Sequence, residues 1–395
     1  MSIYLDYAAT TPVDPRVMKA MLPYLTEHFG NPSSIHSAGR RARRGLDEAR
    51  ETVASLIGAE PREVVFTSGG SEADNLAVKG VAWARSARGR HIVISGVEHK
   101  AVLHTCQVLE RQGFEVTYLG VDRFGRVDPE GVRAAITERT TLVSIIAAQN
   151  EVGTLQPIAE IGAICRSHGV LFHTDAVQAA ASEPLDVDGL GVDLLSLSAH
   201  KLHGPKGIGA LFVRRGTSLL PQLQGGAQER QRRAGTENVA GAVGFAAALE
   251  LAQGDVQARE RERGRQAQLR DALIERLLTL PGVTLTGDPE RRLPNNASFI
   301  IDYLEGADLV AALDLEGVEA STGSACTSGS TEPSHVLLAM GIEPSRARGS
   351  LRLTLGRETT PEALRSAAET IVGCIGRLAG RPGEALSRPA AAVPA

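Results

Sequence analysis

Lys201 stands in the stretch Leu194-Leu-Ser-Leu-Ser-Ala-His-Lys-Leu-His-Gly-Pro-Lys-Gly-Ile-Gly-Ala-Leu-Phe-Val213. An apolar run enters a polar Ser-Ala-His-Lys turn, and a Gly/Pro loop leads into a second apolar run. An amine at the mouth of such a turn, beside Ser198 and His200, can form a Schiff base with a carbonyl compound. The same residue types also suit a solvated loop, where most lysines lie. Other segments discriminate between the two.

Phe66-Thr-Ser-Gly-Gly-Ser71 follows an apolar run and precedes a helical pattern opening at Glu72. Glycines there, Gly70 among them, let backbone N–H groups approach an anion, and the helix N-terminus adds a favourable dipole. Ser71 adds a hydroxyl, although a serine N-cap would have the same sequence. The loop lacks the Gly-Lys-Ser/Thr ending of a Walker A motif, and Gly204-Pro-Lys-Gly-Ile-Gly209 lacks the dinucleotide glycine spacing. In Phe172-His-Thr-Asp-Ala-Val-Gln178, Asp175 follows another apolar run and Gln178 lies three residues on. A carboxylate there can keep a pyridinium nitrogen protonated, and it can equally cap a helix. His99, in Val97-Glu-His-Lys-Ala101, is placed to stack on a ring and relay protons. Asn150, in Ala148-Gln-Asn-Glu-Val-Gly-Thr154, can bond a ring hydroxyl or a substrate carboxylate.

The elements that must position these groups are legible as alternating patterns. Val64–Thr67, His91–Ser95, Val116–Leu119, Leu142–Ala147, Val170–His173, Leu194–Leu197 and Ile208–Val213 read as strands buried on both faces. Helical segments between them, such as Glu72–Arg85 and Ile158–His168, make βαβ units and a mostly parallel seven-stranded sheet. Ligands of such sheets bind at the carboxyl ends of the strands. All five segments fall at those ends, and their joint reading is a cofactor with a phosphate and a ring nitrogen, held on a lysine.

At 395 residues, two domains are expected. Residues 237–280 read as one long helical bridge. Beyond it, strands at Ala297–Ile301 and Ser350–Leu355 and helices at Ala307–Leu315 and Pro361–Leu378 make a small α/β domain. The expected division is an N-terminal arm of the small domain (1–15), a large domain (16–260), a small domain (261–379) and a disordered tail (380–395). A net charge of −4 carries no nucleic-acid signature, and no apolar run approaches the ~18 residues of a membrane helix. Cys106, Cys165, Cys326 and Cys374 form no CxxC pair, which fits a reducing cytoplasm. Cys326 lies in a run of small polar residues that suits an exposed loop; the other three lie in helical patterns and read as packing.

The chain resembles the cysteine desulfurases of the NifS/IscS type, a class V aminotransferase branch of the fold type I (aspartate-aminotransferase-like) pyridoxal-phosphate enzymes. The resemblance runs from Tyr4-Leu-Asp-Tyr-Ala-Ala-Thr-Thr-Pro12 through Phe29-Gly-Asn-Pro-Ser-Ser34, Glu98-His-Lys-Ala-Val102, His173-Thr-Asp-Ala-Val-Gln178 and Ser198-Ala-His-Lys201. It continues through Gln228-Glu-Arg-Gln-Arg-Arg-Ala-Gly-Thr-Glu-Asn238 and Ser321-Thr-Gly-Ser-Ala-Cys-Thr-Ser-Gly-Ser330 to Glu332-Pro-Ser-His335. It implies pyridoxal 5'-phosphate held by Lys201, with Asp175 on the pyridinium and His99 stacked over the ring. Gln178 and Asn150 would contact its phenolate. Gly70, Ser71, Ser198 and His200 would bind phosphate, joined by Thr236 from the second subunit of a homodimer. Arg352 would clamp the substrate carboxylate, with Asn31 and Asn150 assisting. Cys326 would take sulfur from L-cysteine as a persulfide, leaving L-alanine, and pass it to a scaffold protein for iron–sulfur cluster assembly. No resident metal is expected; Cys326 could ligate an iron–sulfur cluster only transiently, through its persulfide. One departure stands out: the phosphate loop reads Gly70-Ser-Glu-Ala73 where the family has Ala/Gly-Thr-Glu-Ser, so one hydroxyl is lost at Ala73. The alternatives are a selenocysteine lyase or aminotransferase on the same fold, or a non-catalytic pyridoxal-phosphate-binding scaffold.

Overall fold

The computed structural model describes residues 2–323 and 332–380. In chain order its strands are β1 (Ile3–Tyr4), β2 (Val64–Thr67), β3 (His91–Ser95), β4 (Glu115–Leu119), β5 (Thr140–Ser144) and β6 (Leu171–Asp175). They continue with β7 (Leu194–Ser198), β8 (Gly209–Val213), β9 (Val283–Thr286), β10 (Asn296–Ile301), β11 (Val318–Glu319) and β12 (Ser350–Thr354).

The seven strands expected for the large sheet all form, in the order β2-β8-β7-β6-β5-β3-β4. Only β8 runs against its neighbours, pairing antiparallel with both β2 and β7. The short Gly/Pro loop after Lys201 forces this, because a parallel return needs a crossover of a dozen or more residues. Six of the seven strands therefore present their carboxyl ends at one edge. β5, β6 and β7 are wholly buried, as an interior sheet covered by helices on both faces requires.

A second core surrounds the antiparallel sheet β12-β10-β9, where Phe299, Leu351 and Leu353 meet Leu273 and Leu277 of helix Val256–Leu278 and Ile371 of helix Pro361–Leu378. Leu5 of the N-terminal segment is buried in this core, and β1 pairs parallel with β11. Strand β9 is additional to the two strands read from sequence.

The bridge expected over residues 237–280 is not one helix. It breaks into Val239–Gln253 and Val256–Leu278, which meet at 74°. Asp255 caps the second helix by accepting from the Ala258 N–H at 2.9 Å, which gives the new N-terminus a partner and stabilises the break. The first helix is apolar nearly all round and sits in the large core. The second is charged and buries only one stripe on the small core.

Candidate active site

The carboxyl ends of β2, β3, β5, β6 and β7 enclose a cavity of about 340 Å³, closed on the far side by Ala8, Ala9, Gly323 and Arg352. At one end, Gly70 opens helix Gly70–Ala84, so the unpaired N–H groups of its first turn face the cavity. A Cβ on Gly70 would lie 2.7 Å from Val177 Cγ2, so a side chain there would have to displace Val177. Ser71 and Ser198 line the same end. His200 Nδ1 lies 3.1 Å from Thr10 Oγ1, and burial, then Lys201 and Lys206, hold its pKa down to about 4. It is a neutral hydrogen-bonding ring near pH 7.

Deeper in, Asp175 ends β6 with its Oδ1 accepting from the Val177 N–H at 2.9 Å. Burial raises its pKa, opposed by His99, the Val177 N–H and Lys201. His99 caps helix Lys100–Arg111, its Nδ1 accepting from the Ala101 N–H at 3.1 Å, so the proton of the neutral ring sits on Nε2. The tight turn Ala199–Lys201 after β7 brings Lys201 Nζ to the carbonyls of Ala8 (2.6 Å) and Ala9 (2.8 Å). Gln178 Nε2 also donates to Ala8 O, at 3.0 Å. The N-terminal segment thus bridges the cores, with Leu5 packed in the small one and its Ala8–Ala9 carbonyls on the lysine.

Arg352, in the middle of β12, is 2 % exposed. Its Nη1 donates to the carbonyls of Asn150 (2.9 Å) and Gly323 (3.1 Å), and its Nη2 to Asp6 Oδ1 (2.8 Å). The guanidinium thus lines the cavity held by three partners.

The class-V aminotransferase family profile matches residues 3–366. The chain belongs to that family, in its NifS/IscS-type branch. It is 51% identical over 377 residues to a cysteine desulfurase IscS of Methanosarcina thermophila, covering 95% of this chain and 93% of the relative. A cysteine desulfurase IscS of Dictyoglomus turgidum is equally similar, 51% over 377 residues, with 95% of each chain covered. Among solved structures, a NifS-like protein superposes with a TM-score of 0.88 at 38% identity, covering 94% of this chain and 98% of its own. SspA in complex with cysteine gives 0.80 at 36%, covering 90% and 99%.

Enzymes of this family depend on pyridoxal 5'-phosphate. The donor set fits that group. Gly70, Ser71, Ser198 and His200 form a cradle of neutral donors at a helix N-terminus, suited to phosphate. Asp175 offers a buried carboxylate to a ring N–H, and Lys201 an amine to a carbonyl carbon.

Two of the residues that the family resemblance implicates do not line this cavity. Asn31 is exposed, its Oδ1 accepting from the Ser33 N–H at 2.9 Å, and Thr236 is exposed in the segment before helix Val239–Gln253. Cys326 lies outside the described residues, as does the tail from 381. On either side of its segment, Gly323 O accepts from Arg352, and Ser334 Oγ donates to Glu151 Oε2 at 2.6 Å. The other three cysteines are buried in helices; burial pushes the Cys165 thiol up to about 12 and the Cys106 thiol higher still.

Four further polar groups line or back the cavity, and the sequence pattern gives them no role. Burial pushes Glu98 up to about 8; its Oε1 accepts from Ser95 Oγ (2.5 Å) and the Ile146 N–H (3.0 Å). His173 Nδ1 lies 2.8 Å from Ser144 Oγ and its Nε2 2.9 Å from Ser196 Oγ, and burial lowers its pKa to about 3. Asp74 and Asp6 are the other two. The available signal was a polar residue inside each of three apolar strands: Ser144, His173 and Ser196.

Proposed function

We propose that this chain is a cysteine desulfurase that uses pyridoxal 5'-phosphate to remove sulfur from L-cysteine, releasing L-alanine. The observation that carries this reading is the convergence of Lys201, Asp175 and Arg352 on one cavity at the carboxyl edge of the sheet. When bound, the cofactor draws electrons from the substrate α-carbon into its ring. Asp175 holds the proton on the ring nitrogen, and the neutral His99 ring covers the site and exchanges a proton through Nε2. Lys201 Nζ takes the α-proton once it leaves the Ala8 and Ala9 carbonyls. Arg352 clamps the substrate carboxylate, a planar two-point contact suited to guanidinium.

Cys326 is the sulfur acceptor in this reading, supported by its loop of small polar residues and by Gly323 lining the cavity just before it. Its thiolate attacks the substrate sulfur, the carbon–sulfur bond breaks, and the electron pair left on Cβ takes a proton to give alanine. The sulfur then passes to a cytoplasmic scaffold protein for iron–sulfur cluster assembly. The working unit is a homodimer, and the exposure of Thr236 suits a contribution to the phosphate cradle of the partner subunit.

The test is to supply L-cysteine to the cofactor-loaded protein and quantify alanine and protein persulfide. Equal amounts of the two in a single turnover are expected. A keto acid with the aminated cofactor, or pyruvate with ammonia, would overturn the assignment. Cys326→Ser should retain the visible absorbance of the bound cofactor and lose alanine release; sulfide production at the wild-type rate would remove Cys326 from the mechanism.

A further inference from the structure

Beside Asp175 lies a second acid that no step of cysteine desulfuration uses. Asp74 occupies the second turn of helix Gly70–Ala84, is 1 % exposed, and lines the same cavity. One carboxylate oxygen of Asp74, one of Asp175 and a ring nitrogen of His99 all lie within 4.8 Å of one another. Two carboxylates this close and this deeply buried do not both ionise.

The surroundings decide which of them carries the proton. Asp175 faces the Lys201 amine and the His99 ring and accepts the Val177 N–H. Asp74 shares the His99 ring, and its own surroundings are set by burial and the neighbouring acids rather than by Lys201. Its neighbours are the Ser196 hydroxyl, the Asp175 carboxylate, the Glu98 carboxyl, and His173, whose Nε2 is 3.7 Å from Asp74 Oδ1. That imidazole is held neutral by burial between Ser144 and Ser196, so it offers no counter-charge. Asp74 Oδ1 has no hydrogen-bond partner among the described residues, which leaves it available to bear a proton. Burial and the neighbouring acids together drive this carboxyl strongly towards its neutral form.

We propose that Asp74 is a positioning residue that carries the proton of this acid pair, the closed end of the chain Ser144–His173–Ser196–Asp74, and keeps Asp175 the single anion facing the cofactor's ring nitrogen. Ionising Asp74 would place a second negative charge beside Asp175 and favour a proton on Asp175 itself, removing the ring nitrogen's partner. The nature of the group facing Asp175 rests on the proposed function; the acid pair does not.

The test reads the proton directly. Infrared difference spectra of the holoenzyme, wild type against Asp74→Asn, should show one protonated-carboxyl band lost at neutral pH. Glu98→Gln identifies the other such band, which in wild type fades as pH rises through about 8, leaving the Asp74 band to be followed on its own. No second band in wild type, or one that survives Asp74→Asn, overturns the proposal, and the wild-type titration decides even where the variant fails to fold. Asn imitates the neutral acid, so Asp74→Asn should retain pyridoxal phosphate nearly as well as wild type. Asp74→Leu, which leaves the buried Ser196 hydroxyl without its partner, should retain it about tenfold less well, the scale of one unsatisfied buried polar group. Equal losses in Asn and Leu variants would also overturn it. None of these measurements uses cysteine, so loss of the acid band without any alanine release would defeat the functional reading alone.

Discussion

Asp6 and Arg352, 346 residues apart in the chain, meet in a 2.8 Å ion pair at one end of the cavity. Asp6 sits between β1 and the Ala8–Ala9 carbonyls that Lys201 holds, so one short segment orients both cationic side chains of the site. Arg352→Lys keeps the charge but loses the planar fork, and KM for L-cysteine should rise by about tenfold or more. Asp6→Asn should raise KM by less, with a smaller effect on kcat. Steady-state kinetics check both; an unchanged KM in both variants would detach Arg352 from substrate binding.

Glu229, Arg230 and Gln231 take φ values of 47°, 56° and 65°, three successive left-handed residues without a glycine. Each costs on the order of 1 kcal/mol. The Glu229 carboxylate holds them by accepting from Arg50 Nη1 (2.7 Å), Arg50 Nη2 (2.6 Å) and the Phe66 N–H (3.0 Å), almost wholly buried. Glu229→Ala strands a buried guanidinium and should lower unfolding stability by about 3–5 kcal/mol. In denaturant titrations, removing Arg50 as well should restore part of that loss; strictly additive losses would argue against the pair.

Glu98 keeps its proton up to about pH 8 in the native state, against an ordinary value of 4.5. The native state therefore binds more protons than the unfolded chain between those values, and this group's contribution to stability falls as pH rises through that window. His173 runs the other way: lowered to about 3 from 6.5, its contribution is lost as pH falls from 6.5 towards 3. Glu98→Gln, a neutral mimic, should flatten the fall in Tm between about pH 5 and pH 8 and be the more stable protein at the alkaline end. Parallel Tm profiles for wild type and variant would refute the buried-acid assignment.

Gly70→Ala tests the phosphate cradle. The added methyl would press on Val177 Cγ2 at 2.7 Å, while the helix itself gains propensity. Cofactor retention on dialysis should fall about tenfold, the scale of a lost charge-assisted hydrogen bond, with the fold kept. Retention equal to wild type would move the phosphate elsewhere.

Lys201, Asp175, His99 and Asn150 were legible because each follows a continuous apolar run, and a parallel sheet sends every such residue to one edge. The reversal of β8 was also implicit, in a loop too short for a crossover. The bend at residues 254–255 was not legible, since both halves share helical composition and only their different partners, the large core and the small one, set the angle. Strand β9 was hidden in the same way: its four residues gain strand character only by pairing with β10.

Local pattern alone determined the kind of chemistry, a lysine with a phosphate cradle and a carboxylate at strand ends, because strand formation and termination depend on neighbours in sequence. The tertiary structure decided the charge states and the alignment. Asp74 reads as an ordinary acid in a helix, and Asp6 as a polar residue near the N-terminus. Burial places one beside Asp175 and the other on Arg352. Desolvation and Coulomb interaction act through space, so no stretch of sequence carries them until the chain has folded.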